Sequence, residues 1–159
     1  FTLDGTAFTE TATYTDDMGT VTLKWDMDAI EWMQENVQGS PVIVEGRTPL
    51  YRWGGRVSIY TGLPTVLGWD WHQRQQRCGL GPCDSLVARI VDVNTIYTSP
   101  NASETLRLFD DYDVKYVYVG ELERNYYPAE GLSKFQGMAV TGQLEVVYRN
   151  QEVTLYKVL

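Results

Sequence analysis

The chain of 159 residues carries 13 basic and 21 acidic side chains, a formal charge of -8, and 43% apolar and 13% aromatic residues. That apolar content suits one domain with a substantial core and excludes a disordered composition. The acidity and the scatter of Lys and Arg exclude nucleic acid as a partner and disfavour docking on anionic lipid, since both need clustered positive charge.

No apolar run approaches the ~20 residues that span a bilayer, and no secretory leader is legible. The start at Phe1, without an initiator methionine, is expected of a processed chain or a piece of a larger protein. Residues 1–24 are rich in Thr and read as an irregular or edge-strand lead-in. A helix is predicted next, capped by Asp26 or Asp28, with Ala29, Ile30, Met33 and Val37 at helical spacing and Gly39 and Pro41 ending it. Residues 41–45 form a short apolar run, as in a strand covered on both faces. Residues 46–55 read as a loop. Arg56–Thr61 alternates Val57 and Ile59 with polar neighbours and predicts a second strand.

Beyond 62–77 and a cysteine loop, Asp84 or Ser85 opens a helix that runs to about Tyr97, with Leu86, Val87, Ile90 and Val91 as its apolar positions. Asn101 and Glu104 start another in the manner of a capping box, carrying Ala102, Leu106 and Phe109 inward. Val114–Val119 is the strongest strand, and 131–136 suggests a short helix. Leu144–Arg149 and 153–158 alternate around Asn150-Gln151-Glu152, a hairpin signal. The whole predicts an α/β fold: a three-layer sandwich with a mixed, mostly parallel central sheet of about five strands and a C-terminal β-hairpin.

The chemistry-bearing residues concentrate in 62–77, Gly-Leu-Pro-Thr-Val-Leu-Gly-Trp-Asp-Trp-His-Gln-Arg-Gln-Gln-Arg, which holds two of the five tryptophans, the sole histidine and two arginines. If 41–45 and Arg56–Thr61 are parallel neighbours, Glu45, Tyr60 and Thr61 end on the same sheet edge as this segment. Ligands of open α/β sheets favour that edge. The candidate binding set is therefore Glu45, Tyr51, Trp69, Asp70, Trp71, His72, Arg74 and Arg77. Aromatic faces stack on sugars or partner side chains, while the polar groups fix orientation. A structural reading stands beside it, with the tryptophans as core or lid and Asp70 capping a helix.

Cys78 and Cys83 flank Gly-Leu-Gly-Pro, a sequence suited to a tight loop, so a small disulfide-closed ring in an oxidising compartment is one expectation and free structural thiols another. Zinc lacks a second ligand pair. Catalysis by Cys78 with His72 is a weaker account than the disulfide. There is no phosphate-cradling Gly loop and no Gly-x-Ser-x-Gly elbow. No metal or cofactor is expected. Asp110-Asp111-Tyr112-Asp113 lacks calcium-loop spacing and reads as a solvated turn. Glu121 and Arg124 read as a surface pair, and Asn101-Ala102-Ser103 fits the glycosylation sequon.

Three stretches, 62–69, Asp-Val-Asn-Thr-Ile-Tyr-Thr at 92–98 and Lys-Tyr-Val-Tyr-Val-Gly-Glu-Leu-Glu-Arg at 115–124, together with Gly-Leu-Ser-Lys-Phe at 131–135, resemble the C-terminal region of the YYY polytopic membrane proteins (DUF2298). The resemblance covers most of the chain from about Asp26. Leu3-Asp4-Gly5 also looks like the family's exit from its last membrane helix, which makes 1–24 a lead-in to one extracytoplasmic domain over 1–159. It implies a soluble domain on the outer face of a multi-pass membrane protein, partnered by the transmembrane portion of the same protein. It also implies similarity to the soluble domains of membrane glycosyltransferases of the GT-C type, with a saccharide or lipid-linked sugar as ligand. In the oligosaccharyltransferases a Trp-Trp-Asp motif reads the acceptor peptide. Here Gly68-Trp69-Asp70-Trp71 replaces the first tryptophan, which argues against peptide reading. Catalytic carboxylates of such enzymes lie between membrane helices, so the domain alone is expected to contribute acceptor or donor recognition without catalysis. The alternative is a structural or interaction domain with no ligand site of its own.

Overall fold

A computed structural model describes residues 3–79, 81 and 83–159. The Thr-rich start folds into a 3-10 turn, Ala7–Glu10, and a hairpin of β1 (Thr13–Asp16) with β2 (Gly19–Thr22). The hairpin runs straight into α1 (Leu23–Asn36), whose Met27, Ala29, Ile30 and Met33 are buried. β3 (Val42–Val44) and β4 (Val114–Val119) pair in parallel. β4 then pairs antiparallel with β6 (Thr154–Val158), and β6 with β5 (Leu144–Arg149), giving the order β3-β4-β6-β5. The last two strands are the expected terminal hairpin.

Alternation along β4 sends Val117 and Val119 to one face of the sheet and Tyr116 and Tyr118 to the other. On the first face pack α4 (Asp84–Thr98), α5 (Ala102–Asp111) and α7 (Ala129–Val140), through Val93, Ile96, Leu108, Phe109, Phe135 and Met138. On the second lie α1 and Val57. Burying each such side chain contributes about 1.5–3 kcal/mol over leaving it exposed. The result is the predicted α/β sandwich with a mixed sheet, but the sheet has four strands and a single parallel pair, β3–β4, rather than being mostly parallel.

The fifth strand expected at Arg56–Thr61 is instead a helix, α2. Glycines in the left-handed region bracket it, Gly55 at φ 78° and Gly62 at φ 75°, and residues with a Cβ rarely adopt that conformation. Its first amides are capped from a distance: Glu45 accepts from the Val57 and Ser58 N–H groups, both at 2.9 Å. The place beside β3 is taken by residues 64–66. Ile43 N donates to Pro64 O at 2.8 Å, and Val66 N to Ile43 O at 3.1 Å. A further helix, α6 (Glu121–Tyr126), was not expected from the sequence. α7 starts earlier than 131, and Gly131 is required there, since a Cβ would sit 2.2 Å from Tyr97 O. In α4 the inward residues are Leu86, Val93, Ile96 and Tyr97, whereas Val87 and Val91 face solvent. Asn101 caps α5 as predicted, accepting from Ser103 N at 3.0 Å and Glu104 N at 3.2 Å.

An enclosed ion cluster joins α1, α2 and α6 under the C-terminal end of β4. Arg56 donates through Nε and Nη2 to Asp26 at 2.6 and 3.1 Å, and through Nη1 and Nη2 to Glu123 at 3.2 and 2.9 Å. Asp26 also accepts from Trp53 Nε1 and the Tyr118 hydroxyl, both at 2.8 Å. Glu123 also accepts from the Gly46 and Gly120 N–H groups, both at 2.8 Å. Each of the four carboxylate oxygens thus takes two hydrogen bonds. Burial opposes the Arg56 charge, but Asp26 and Glu123 outweigh it and hold the guanidinium pKa well above its ordinary value. This also explains why Asp26, expected to cap α1, sits inside its first turn: the carboxylate is committed elsewhere.

Arg56→Met leaves two buried carboxylates without their cation and is expected to cost about 3–5 kcal/mol. Equilibrium urea unfolding at neutral pH reads this loss; a cost near zero would show the cluster to be dispensable.

Candidate functional site

The segment 62–77 ends in α3 (Asp70–Arg77), a helix with no buried residue. Having no apolar face, it is attached by polar and covalent ties. Arg47, from the loop after β3, donates to Asp70 Oδ2 through Nη2 at 2.7 Å and Nε at 3.2 Å. Tyr51 OH donates to Gln75 Oε1 at 2.7 Å. Cys78 and Cys83 are joined in a disulfide with their Cα atoms 5.3 Å apart, linking the end of α3 to the start of α4. The intervening Leu80 and Pro82 lie outside the described residues.

Trp69, at the start of the helix, is fixed by its indole N–H, which donates to Gly54 O at 2.6 Å and Arg52 O at 3.2 Å. Tyr51 meets it edge-on at 5.2 Å and lies 6.2 Å from His72. Three of the predicted residues, Tyr51, Trp69 and His72, are therefore adjacent. Trp71, Arg74 and Arg77 are exposed on α3, and neither arginine forms an ion pair among the described residues. Glu45 does not join them. It is 1% exposed and turned under α2 as its cap, because the segment expected to be a strand beside it is a helix. Burial, only partly offset by Arg56, pushes its pKa up.

Glu121 and Arg124 do not pair with each other. Glu121 accepts from Thr22 N at 2.7 Å, and Arg124 pairs with Glu152 at 2.5 Å. Asp111 and Asp113 of the acidic turn pair with Arg107 and Lys115 at 2.6 and 2.5 Å.

The helical form of α2 creates a feature that the sequence reading missed. Ile59, Tyr60, Trp53 and Trp69 line an open cleft of about 140 Å³, with Gly54 and the two arginines Arg52 and Arg56 completing its lining. Trp53 lies between Tyr14 and Tyr60, with ring centres 6.3 and 6.1 Å away. Arg52 is restrained by Tyr126 OH at 3.0 Å, an ion pair with Asp17 and a longer one with Asp16 at 3.5 Å. None of the described lining residues is a carboxylate, thiol or imidazole. The cleft offers aromatic and apolar surface with a guanidinium at its edge, a set suited to binding. Of its lining, Trp69 belongs to the candidate set and Tyr60 to the expected sheet edge, whereas Trp53 carries no signal that sets it apart in the sequence.

No protein-family profile matches the sequence, and no curated protein does. Among solved structures, the chain is similar to the C-terminal globular domain of oligosaccharyltransferase from Archaeoglobus fulgidus, at 14% identity and a TM-score of 0.49, over 84% of this chain and 96% of that one.

The burial of Glu45 has a measurable signature. Its folded pKa lies above its unfolded value, so stability from this group is fully present below the unfolded pKa and is lost as pH rises through the folded one. Glu45→Gln mimics the protonated form. The stability deficit of Glu45→Gln relative to wild type should therefore shrink between about pH 4 and about pH 7, measured by urea unfolding. A deficit that stays constant or grows over that interval would mean that burial does not raise the Glu45 pKa.

Proposed function

We propose that this chain is a non-catalytic recognition domain that takes a saccharide, or the sugar of a lipid-linked sugar, onto the aromatic cleft. In this reading it forms the extracytoplasmic part of a multi-pass membrane protein of the YYY kind, and its transmembrane portion is the first partner. The observation that carries the proposal is the convergence of Trp53, Tyr60 and Trp69 on one cleft. Aromatic rings give large contact area at low entropic cost, and their faces suit the C–H faces of sugar rings. The anchored Trp69 indole and the Tyr14–Trp53–Tyr60 contacts hold these rings before any ligand arrives. Tyr51, Trp71 and His72 extend the surface towards α3. The disulfide suits an oxidising compartment.

A second reading, an interaction domain without a ligand site, is favoured by one observation. Asp70 and Trp69 spend their polar groups on Arg47 and Gly54 of their own fold. Ligand titration separates the two. Soluble mono- and oligosaccharides titrated into the oxidised protein should change tryptophan fluorescence. Ile59→Glu and Tyr60→Ala should weaken that binding at least ~10-fold, with Ile59→Glu leaving the melting temperature unchanged because Ile59 is 54% exposed. No response to any saccharide from folded wild-type protein would leave the interaction reading.

A further inference from the structure

We propose that the corner between α3 and α4 is a binding site for a phosphate or diphosphate group, held between Arg77 and Arg89. A hollow of about 90 Å³ opens there, lined by Gln73, Arg77, Cys83, Ser85, Leu86 and Arg89. Among the described residues it shares no lining residue with the aromatic cleft, so it stands or falls independently of the saccharide reading.

The charge distribution singles this corner out. In a chain of net charge -8, a solvent-facing cation can readily find a carboxylate. Lys24, Arg47, Arg52, Arg107, Lys115 and Arg124 each do so. Arg74, Arg77, Arg89, Arg149 and Lys157 have no ion pair among the described residues, and of these Arg77 and Arg89, on facing helices, line one hollow together. Asp84, in the first turn of α4, is the acidic residue nearest in sequence to this wall, and it has no ion pair to either arginine.

The hollow is also built rather than incidental. Arg89 is oriented by a hydrogen bond from Nη1 to Val66 O at 2.8 Å, and its guanidinium rests 5.2 Å from the Tyr112 ring. Tyr112 is in turn fixed by donating to Asp92 at 2.5 Å. One edge of the Arg89 fork is thereby spent and its remaining N–H groups stay available. Gln73 and Arg77 lie four residues apart on α3, so both side chains reach one face of the helix. The Cys78–Cys83 disulfide holds the two walls together across the turn. Two guanidinium groups with neutral amide and hydroxyl donors between them match the several oxygens and the charge of a phosphate, and guanidinium forks bind it bidentately. The positive end of α4 lies on the same side.

The test uses the oxidised protein at low ionic strength, titrated with inorganic pyrophosphate and followed by amide chemical shifts. Shifts confined to Gln73, Arg77, Ser85 and Leu86, saturating with one site, are expected. Arg77→Gln should weaken binding at least ~10-fold with an unchanged melting temperature. Arg74→Gln, on the same helix but outside the hollow, should not weaken it. Arg89→Lys should weaken it although the charge is kept. A soluble short-chain prenyl diphosphate distinguishes the source: tighter binding than pyrophosphate supports a lipid-linked diphosphate, and equal binding supports a free phosphate compound. No response to pyrophosphate, diffuse shifts across all basic residues, or unchanged binding in Arg77→Gln overturns the proposal.

Discussion

The Arg56 side chain is buried, and its charge is met by Asp26 from α1 and Glu123 from α6. Compared with well-packed apolar residues, such a cluster gains little net stability, because removing the ions from water costs nearly as much as their attraction returns. What it does impose is geometry. Every member left without a partner is costly, so α1, α2 and α6 can meet only in the arrangement that fills all the carboxylate lone pairs. Trp53, Tyr118, Gly46 and Gly120 complete that set, which ties two loops and the central strand to it as well.

The candidate cleft is a consequence of this constraint. Trp53 gives its indole N–H to Asp26 and its ring to the cleft, so the cluster orients one wall. Arg56 begins α2, and that helix delivers Ile59 and Tyr60 to the same cleft. Glu45 supports the same helix from beneath by taking its first amides. The candidate cleft therefore sits on a buried polar joint, while α3 beside it rides on the surface. α3 buries nothing and depends on Arg47, Tyr51 and one disulfide for its position. The two hollows consequently differ in kind, one between fixed aromatic walls and one between helices clamped at a covalent turn.

Much of this architecture is legible in the sequence because local signals and tertiary demands agree. Val114–Val119 alternates over a strand buried on both faces, the Asn150 turn closes a hairpin, and Asn101 caps the helix that follows it. The helix of residues 84–98 is recognisable, although its inward face is rotated relative to the apolar positions first apparent. The segment 62–77 concentrates tryptophan, histidine and arginine side chains. Its residues do not form one patch, because a helix distributes them: Trp69 faces the cleft while Arg77 faces α4.

By itself, then, the sequence determined the class of fold, its strongest strand, its terminal hairpin and the neighbourhood in which polar and aromatic groups gather. These follow from periodicity and capping, which act over a few residues. Only the tertiary structure decided that Arg56–Thr61 is helical, that Glu45 is buried beneath it, and that Trp53 and Tyr60 rather than Asp70 build the cleft. In each case the deciding contact joins residues far apart in the chain. The Glu45 cap spans 12 positions, and the Arg56–Glu123 pair spans 67. A buried charge accepts whatever backbone conformation brings its partner within reach, so that local alternation of Val57 and Ile59 is overruled.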